Sequence, residues 1–146
     1  MTAAAGIVGT LYAWSAATPG TFNSAGFAAL SWTPMTQMEQ TDGWGDDISW
    51  VEFTDISTGR TVRDPGAVDG GVRGFSFKSD PADAGQTIVV NNAGSATSVS
   101  LRCTYPNGKI IYLWGKLAPL KDRPHSPNSY QGYDAQLAVN AAPVRT

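Results

Sequence analysis

At 146 residues, 42% hydrophobic and 15% charged, with 16 glycines and 9 prolines, the chain has enough apolar mass for one core and too little charge for a disordered protein. Its net charge of −2, from 10 basic and 12 acidic residues with no basic run, leaves no footprint for tight nucleic-acid binding by a single copy. The one cysteine, Cys103, excludes an internal disulfide and fits a protein made in reducing cytosol. Residues 1–6 lack the basic and apolar regions of a signal peptide, and no apolar run approaches the ~20 residues of a membrane helix. The expectation is a single mainly-β domain over residues 1–146, made in the cytoplasm, with no membrane association.

Residues 7–14 set Ile7, Gly9, Leu11 and Ala13 against Val8, Thr10, Tyr12 and Trp14, which predicts a first strand. Thr18-Pro19-Gly20 breaks it, and Asn23 or Ser24 is placed to cap a short helical turn over 25–30. A second strand over 31–39 carries Pro34, which requires an edge position or a bulge. Residues 42–47 read as a loop, and 48–56, with Trp50 and Phe53, as a third strand.

Residues 59–71 then hold four glycines, Pro65, Arg60, Arg63, Asp64 and Asp69, with little to bury. This predicts a long inter-strand loop over 57–71, of a size that compact domains keep mainly for function. Alternation returns at 72–78, where Phe75 and Phe77 share one face and Ser76 and Lys78 the other. Asp80 as N-cap, Pro81 at the first helical position and Gly94 as stop predict a helix over 80–94. Its β-branched run 87–90 requires one side to be buried on a sheet. Residues 98–105 oppose Val99, Leu101, Cys103 and Tyr105 to Ser98, Ser100, Arg102 and Thr104, a strand with one wet face. A type I turn with Gly108 as a left-handed bulge residue leads into a strand over 109–117, and 130–140 gives the last strand, with Asp134, Gln136, Ala138 and Asn140 on its polar side.

Catalytic chemistry is poorly supplied. His125 is the only histidine and sits in a proline-flanked loop, where a plain surface side chain is the default rather than a general base. Cys103 lies on the apolar side of its strand with nothing basic adjacent, as in a buried structural thiol. Asp42, Asp46 and Asp47 lack the alternating ligand pattern of a calcium loop and read as a solvated turn. Gly66, Gly70, Gly71 and Gly74 have no phosphate-loop spacing. The five tryptophans admit a sugar-binding face on a β-sandwich, against which stands their ordinary use in cores and interfaces.

The order of these features resembles the major tail tube protein family of long-tailed (siphovirus-type) bacteriophages, over most of the chain. The opening GTLYAWSAATPGTFNSAGFAALSWTPM (9–35) is similar to the family's strand, A-T-P segment and A-G-[FY]-A-x-L stretch. FSFKSDPADAGQ (75–86) resembles its D-P-x-D-x-G-Q segment, and YPNGKIIYLWG (105–115) its P-[ND]-G hairpin. Each motif alone is only a strand, cap or turn; the specificity lies in their order. The resemblance implies a two-sheet, barrel-like β-sandwich with one short flanking helix and a long inter-strand loop, in a non-enzymatic virion protein without cofactors. It implies stacked, hexameric rings that form the channel for genome ejection, with the loop reaching a neighbouring subunit through Arg60, Arg63, Asp64, Pro65 and Asp69. Partners on this reading are further copies of the chain, the tape measure, tail terminator and distal tail proteins, and DNA that passes through without tight binding. The polar faces, Ser98, Ser100, Arg102 and Thr104 with Asp134, Gln136 and Asn140, are candidates for the lumen; Arg102 departs from the acidic lining the family often shows, so either this face points elsewhere or a carboxylate such as Asp134 neutralises it. Rival classes are a connector or capsid-decoration subunit and a carbohydrate-binding β-sandwich module.

Overall fold

The computed structural model describes residues 6–146; the reading of residues 1–5 as free of a signal peptide lies outside the described residues. In chain order the elements are β1 (Leu11–Ser15), α1 (Ser24–Ala28), β2 (Thr33–Met35), β3 (Met38–Thr41), β4 (Asp47–Thr54), β5 (Thr61–Asp69), β6 (Val72–Lys78), α2 (Ala84–Asn92), β7 (Ser98–Thr104), β8 (Ile110–Leu117), β9 (Lys121–Asp122), β10 (Gly132–Val139) and β11 (Val144–Arg145). Nine strands form one antiparallel sheet along the path β2-β1-β7-β8-β10-β6-β3, with β9 on β10 and β11 on β8; β4 and β5 form a second sheet by themselves. The fold is mainly β and sandwich-like, as the sequence predicts. Among the described residues no helix is long and apolar enough to cross a membrane.

Two strand boundaries differ from expectation. The first strand starts at Leu11 because Gly9 adopts φ +96° and the Thr10 amide bonds back to the Ile7 carbonyl at 3.0 Å; residues 7–10 are a turn. The strand predicted over 31–39 is two strands, broken where Gln37 takes φ +66°. Pro34 lies in β2 at the end of the sheet path, where its missing N–H removes no ladder bond. The break shapes the whole fold. β2 and β3, the two ends of the path, are separated in sequence only by Thr36 and Gln37, so the sheet must curl until its ends approach.

The concave face is the core. Trp14, Phe77, Val89, Val99, Leu101 and Leu137 are fully buried there, and Trp14 meets Phe75 with ring centroids 5.4 Å apart. The opposite face of β7 and β8 is covered at its centre, where the reading of 98–105 has it wet. The segment after β1 folds back across it: Phe27 stacks on Tyr112 at 5.2 Å, Phe22 meets Trp114 at 5.2 Å, and Ser100, at 0% exposure, donates its hydroxyl to the Ala17 carbonyl at 2.9 Å. Small polar side chains alternate in β7 because a satisfied serine and a stacked arginine are compatible with a covered face. The hairpin after Tyr105 forms as predicted, with the Gly108 amide on the Tyr105 carbonyl at 2.9 Å and Gly108 at φ +87°.

The helix start is corrected by one turn. Asp83, not Asp80, is the N-cap of α2, while Asp80 closes the preceding turn by accepting from the Ala82 amide at 3.1 Å. Asp83 wins because its carboxylate serves two elements at once, accepting from the Gln86 amide at 3.1 Å and the Thr36 amide at 2.8 Å, as well as the Thr36 hydroxyl. Gln86, buried behind it, bonds the Asp80 amide and the Thr36 and Lys78 carbonyls. Val89 is buried in the core while Val90 stays exposed, so one side of the β-branched run is held by packing. Gly94, at φ +71°, ends the helix region as predicted.

α2 can lie this close because residue 85 has no side chain: a Cβ there would stand 2.5 Å from the Pro34 carbonyl oxygen and 2.6 Å from the Met35 Cβ. Gly85→Ala is therefore expected to lower stability by roughly 1–3 kcal/mol in urea titration, whereas Gly43→Ala, in open space, leaves the midpoint within error. Partial burial pushes the Asp83 carboxyl up, but the hydrogen bonds from Thr36, Gln86 and Gly85 together hold it below the ordinary carboxylate range. A carboxyl depressed in the folded state stabilises fully above its unfolded pKa of about 3.9 and loses that contribution as pH falls through the folded value. Asp83→Ala should thus cost about 1 kcal/mol at pH 7, with a difference from wild type that shrinks below about pH 4.

Candidate functional site

Residues 57–71 are not a loop. From Thr61 to Asp69 the chain pairs with β4 in a projecting arm, with Phe53 opposite Val62, Glu52 opposite Arg63, Val51 opposite Asp64 and Trp50 opposite Pro65. Nothing in the local pattern TVRDPGAVD suggests a strand; the pairing partner supplies it. Pro65 is tolerated because alternation from the Asp55–Arg60 bond at the turn puts position 65 in a pair whose amides point away from β4. Gly66 is required by a register shift: a Cβ there would come within 2.8 Å of the Ser49 carbonyl oxygen.

The arm is anchored at its base and closed at its tip. Arg73 donates to the Gly70 and Gly45 carbonyls at 3.1 and 2.7 Å and lies 3.3 Å from the Asp47 carboxylate, and the Val139 amide bonds the Gly71 carbonyl at 3.0 Å. At the tip Asp55 accepts from the Ser57 hydroxyl and amide at 2.7 and 2.8 Å, which holds its carboxyl below the ordinary range, and Gly59 turns the chain at φ +66°. Between these points every residue of β4 is exposed, and all of β5 except Gly66.

The two faces of the arm differ. One carries the Glu52–Arg63 ion pair at 2.9 Å, the Thr54 and Thr61 hydroxyls 3.0 Å apart, and Trp50 opposite Pro65; its polar groups satisfy one another. The other presents Val51 at 60%, Phe53 at 68% and Val62 at 51% exposure, with Asp64 beside them. Of the residues expected to contact a neighbour, Arg63 and Pro65 lie on the first face and Asp64 on the second. Arg60 lies in the turn, and Asp69 accepts from the Gly71 amide at the base. Val62 is legible as an apolar contact within residues 57–71, whereas Val51 and Phe53 read as part of an ordinary strand, and only the absence of anything above them marks them.

The candidate lumen residues share one face of the main sheet, since Ser98 pairs with Lys116, Lys116 with Ala138, and Asp134 with Ser76. That face is divided. Ser100 lies under the segment after β1 and faces no channel; Arg102 sits over the Trp32 ring at 5.4 Å. Ser98 and Thr104 are half-buried, and Gln136 and Asn140 are exposed. Asp134 does not neutralise Arg102; it accepts from the Ser76 hydroxyl at 2.8 Å and faces Arg123 at 3.4 Å, which also meets Glu39 at 3.0 Å. The open half is a polar trough of about 220 Å³ lined by Gln40, Asp42, Ser76, Lys121, Asp134 and Gln136. Ser76 was legible from the alternation at 72–78, whereas Gln40 and Lys121 join only through the sheet order.

The tryptophans do not gather into one binding face: Trp14 is in the core, Trp44 packs half-buried against it, Trp32 belongs to the cover over β8, Trp114 stands on β8 against Phe22 of that cover, and Trp50 is on the arm. Asp42 accepts from the Gly74 amide at 2.9 Å and Asp47 faces Arg73, so the acidic turn is divided between structural tasks. His125 is exposed. Burial pushes the Cys103 thiol up to about 11, against a smaller opposing hydrogen bond with Tyr105. At pH 8 the native protein should accordingly resist a thiol-specific chromogenic reagent and react only after denaturation; prompt labelling of native protein would place Cys103 at an accessible site. The chain matches no family model and no curated protein sequence.

Proposed function

We propose that the chain is the structural subunit of a phage tail tube, assembling head to tail into stacked, hexameric rings around a channel for the genome. The observation that carries this reading is the arm. A two-stranded ribbon alone is marginal in water, and this one projects from a well-packed body while presenting Val51, Phe53 and Val62 to solvent, a surface that becomes economical only when another molecule covers it. The arm and the body are different surfaces, so their contact is heterologous; repeated with rotational closure it gives a ring, and repeated along an axis a tube.

The ordered resemblance of segments 9–35, 75–86 and 105–115 supports the same reading. So does the chemistry of the open trough, where short polar side chains of both signs offer DNA a hydrated surface without a basic track. Six copies carry a formal −12, six times the chain's −2, which disfavours a stationary polyanion. On this reading the protein has no catalytic turnover and no cofactor. Its partners are other copies, the tape measure, tail terminator and distal tail proteins, and DNA in transit; its site of action is the virion tail, assembled in the host cytoplasm.

Electron microscopy and sedimentation at rising concentration test the proposal. Wild-type protein should pass from small species to regular tubes with an open channel, while the double variant Val51→Asp, Phe53→Asp keeps the wild-type circular dichroism and forms none. A protein that stays monomeric at every concentration, or a double variant that builds normal tubes, would overturn it.

A further inference from the structure

Outside the arm, the most exposed large apolar side chains lie at the turn before β1, where Ile7 is 74% and Val8 94% exposed, with Leu11 just beyond it; Phe22, Val72 and Val90 belong to other segments. This turn separates two hollows and Ile7 lines both. One, of about 400 Å³, includes Val8, Tyr12 and Met38; the other, of about 340 Å³, includes Tyr105, Pro106, Lys109 and Arg145. Neither Lys109 nor Arg145 is in an ion pair among the described residues. Glu39, on the wall of the first hollow, is held by Arg123 at 3.0 Å. The rim thus combines two bulky apolar groups, an aromatic and proline floor, and two cations without a carboxylate partner among the described residues, of which Arg145 donates to the Trp44 carbonyl at 3.2 Å.

The apolar face of the arm is its complement. Val51, Phe53 and Val62 surround no cation, and the carboxylate next to them, Asp64, has no ion-pair partner among the described residues. The charges are also partitioned: residues 47–69 hold five carboxylates and two arginines, a net −3, which leaves +1 of the chain's −2 for everything else. Arm-to-arm contact would bring two negative ribbons together, whereas arm-to-rim contact joins opposite signs and two apolar patches.

Resting on the reading of the chain as self-assembling, we propose that the rim formed by Ile7, Val8, Pro106, Lys109 and Arg145 receives the arm of a second copy, with Val51, Phe53 and Val62 packed on Ile7 and Val8 and Asp64 turned to the cations. Donor and acceptor surfaces occur on the same chain and do not overlap, so each copy gives one arm and takes one. Such a contact propagates instead of closing as a dimer.

Two sets of variants test it. A chain carrying both Val8→Cys and Val62→Cys, with Cys103 buried, should yield under mild oxidation a ladder of covalent multimers beyond the dimer, and each single change should yield none. Lys109→Glu and Asp64→Lys should each raise the concentration at which assembly begins by about tenfold, and their combination should bring it back towards wild type. A covalent dimer from Val62→Cys alone would mean arm-to-arm pairing and overturn the proposal. Tubes that form without the ladder, at unchanged concentration in both charge variants, would overturn it while leaving the tube reading intact; wild-type protein that never assembles would overturn both.

Discussion

The contact between Trp14 and Phe75 is the constraint on which the rest of the fold depends. Trp14 stands on β1 and Phe75 on β6, each one strand in from an end of the sheet path. For their rings to meet, the sheet must curl until its two margins face each other. Met35 on the outermost strand completes the closure, with its sulfur 3.0 Å from the Trp14 indole nitrogen, and Val89 of α2 fills the remaining opening. A flat nine-stranded sheet of this sequence would leave the large apolar side chains of β1, β6, β7, β8 and β10 in water; curling removes them together.

Closure on one face determines what happens on the other. The convex side cannot all be wet, because Tyr112 and Trp114 of β8 point outwards, and the stretch from Ala17 to Trp32 lies over them with Phe22 and Phe27. Beyond that cover the face becomes polar at Asp134, Gln136 and Ser76. One sheet therefore supplies a core, a second apolar layer and a hydrated trough. Of the large apolar side chains that the described body leaves exposed, Ile7 and Val8 at the turn before β1 are the most exposed, with Leu11, Phe22, Val72 and Val90 on other segments.

The arm escapes this economy. Its base is tied to the body by Arg73 and by the Gly71–Val139 backbone bond, and Gly70 allows the close approach, since a Cβ there would lie 2.8 Å from the Val139 carbonyl oxygen. The exposed Glu52–Arg63 pair adds little stability but helps align two strands that have no sheet beneath them. A firm base, an aligned ribbon and an uncovered apolar face are what the proposed self-assembly asks of the arm.

Much of this was legible from residue order alone. The β6 strand over Val72–Lys78, the Gly108 turn, the Gly94 stop and the apolar sides of β7 and β10 follow from two-residue alternation and from the backbone preferences of glycine and proline, which act within a few residues. Alternation along 98–105 also places Cys103 on the apolar side of its strand, where the structure buries it. Tertiary structure alone decided three things. It turned residues 61–69 from a glycine-rich loop into β5, because a strand without alternation is defined by the hydrogen bonds of its neighbour. It buried Ser100, whose polarity signals solvent until the Ala17 carbonyl, 83 positions away, is brought within 2.9 Å. And it left Val51, Phe53 and Val62 uncovered, because an apolar side chain carries no local mark of whether it faces a core or a partner; that depends on which surfaces the rest of the chain has already used.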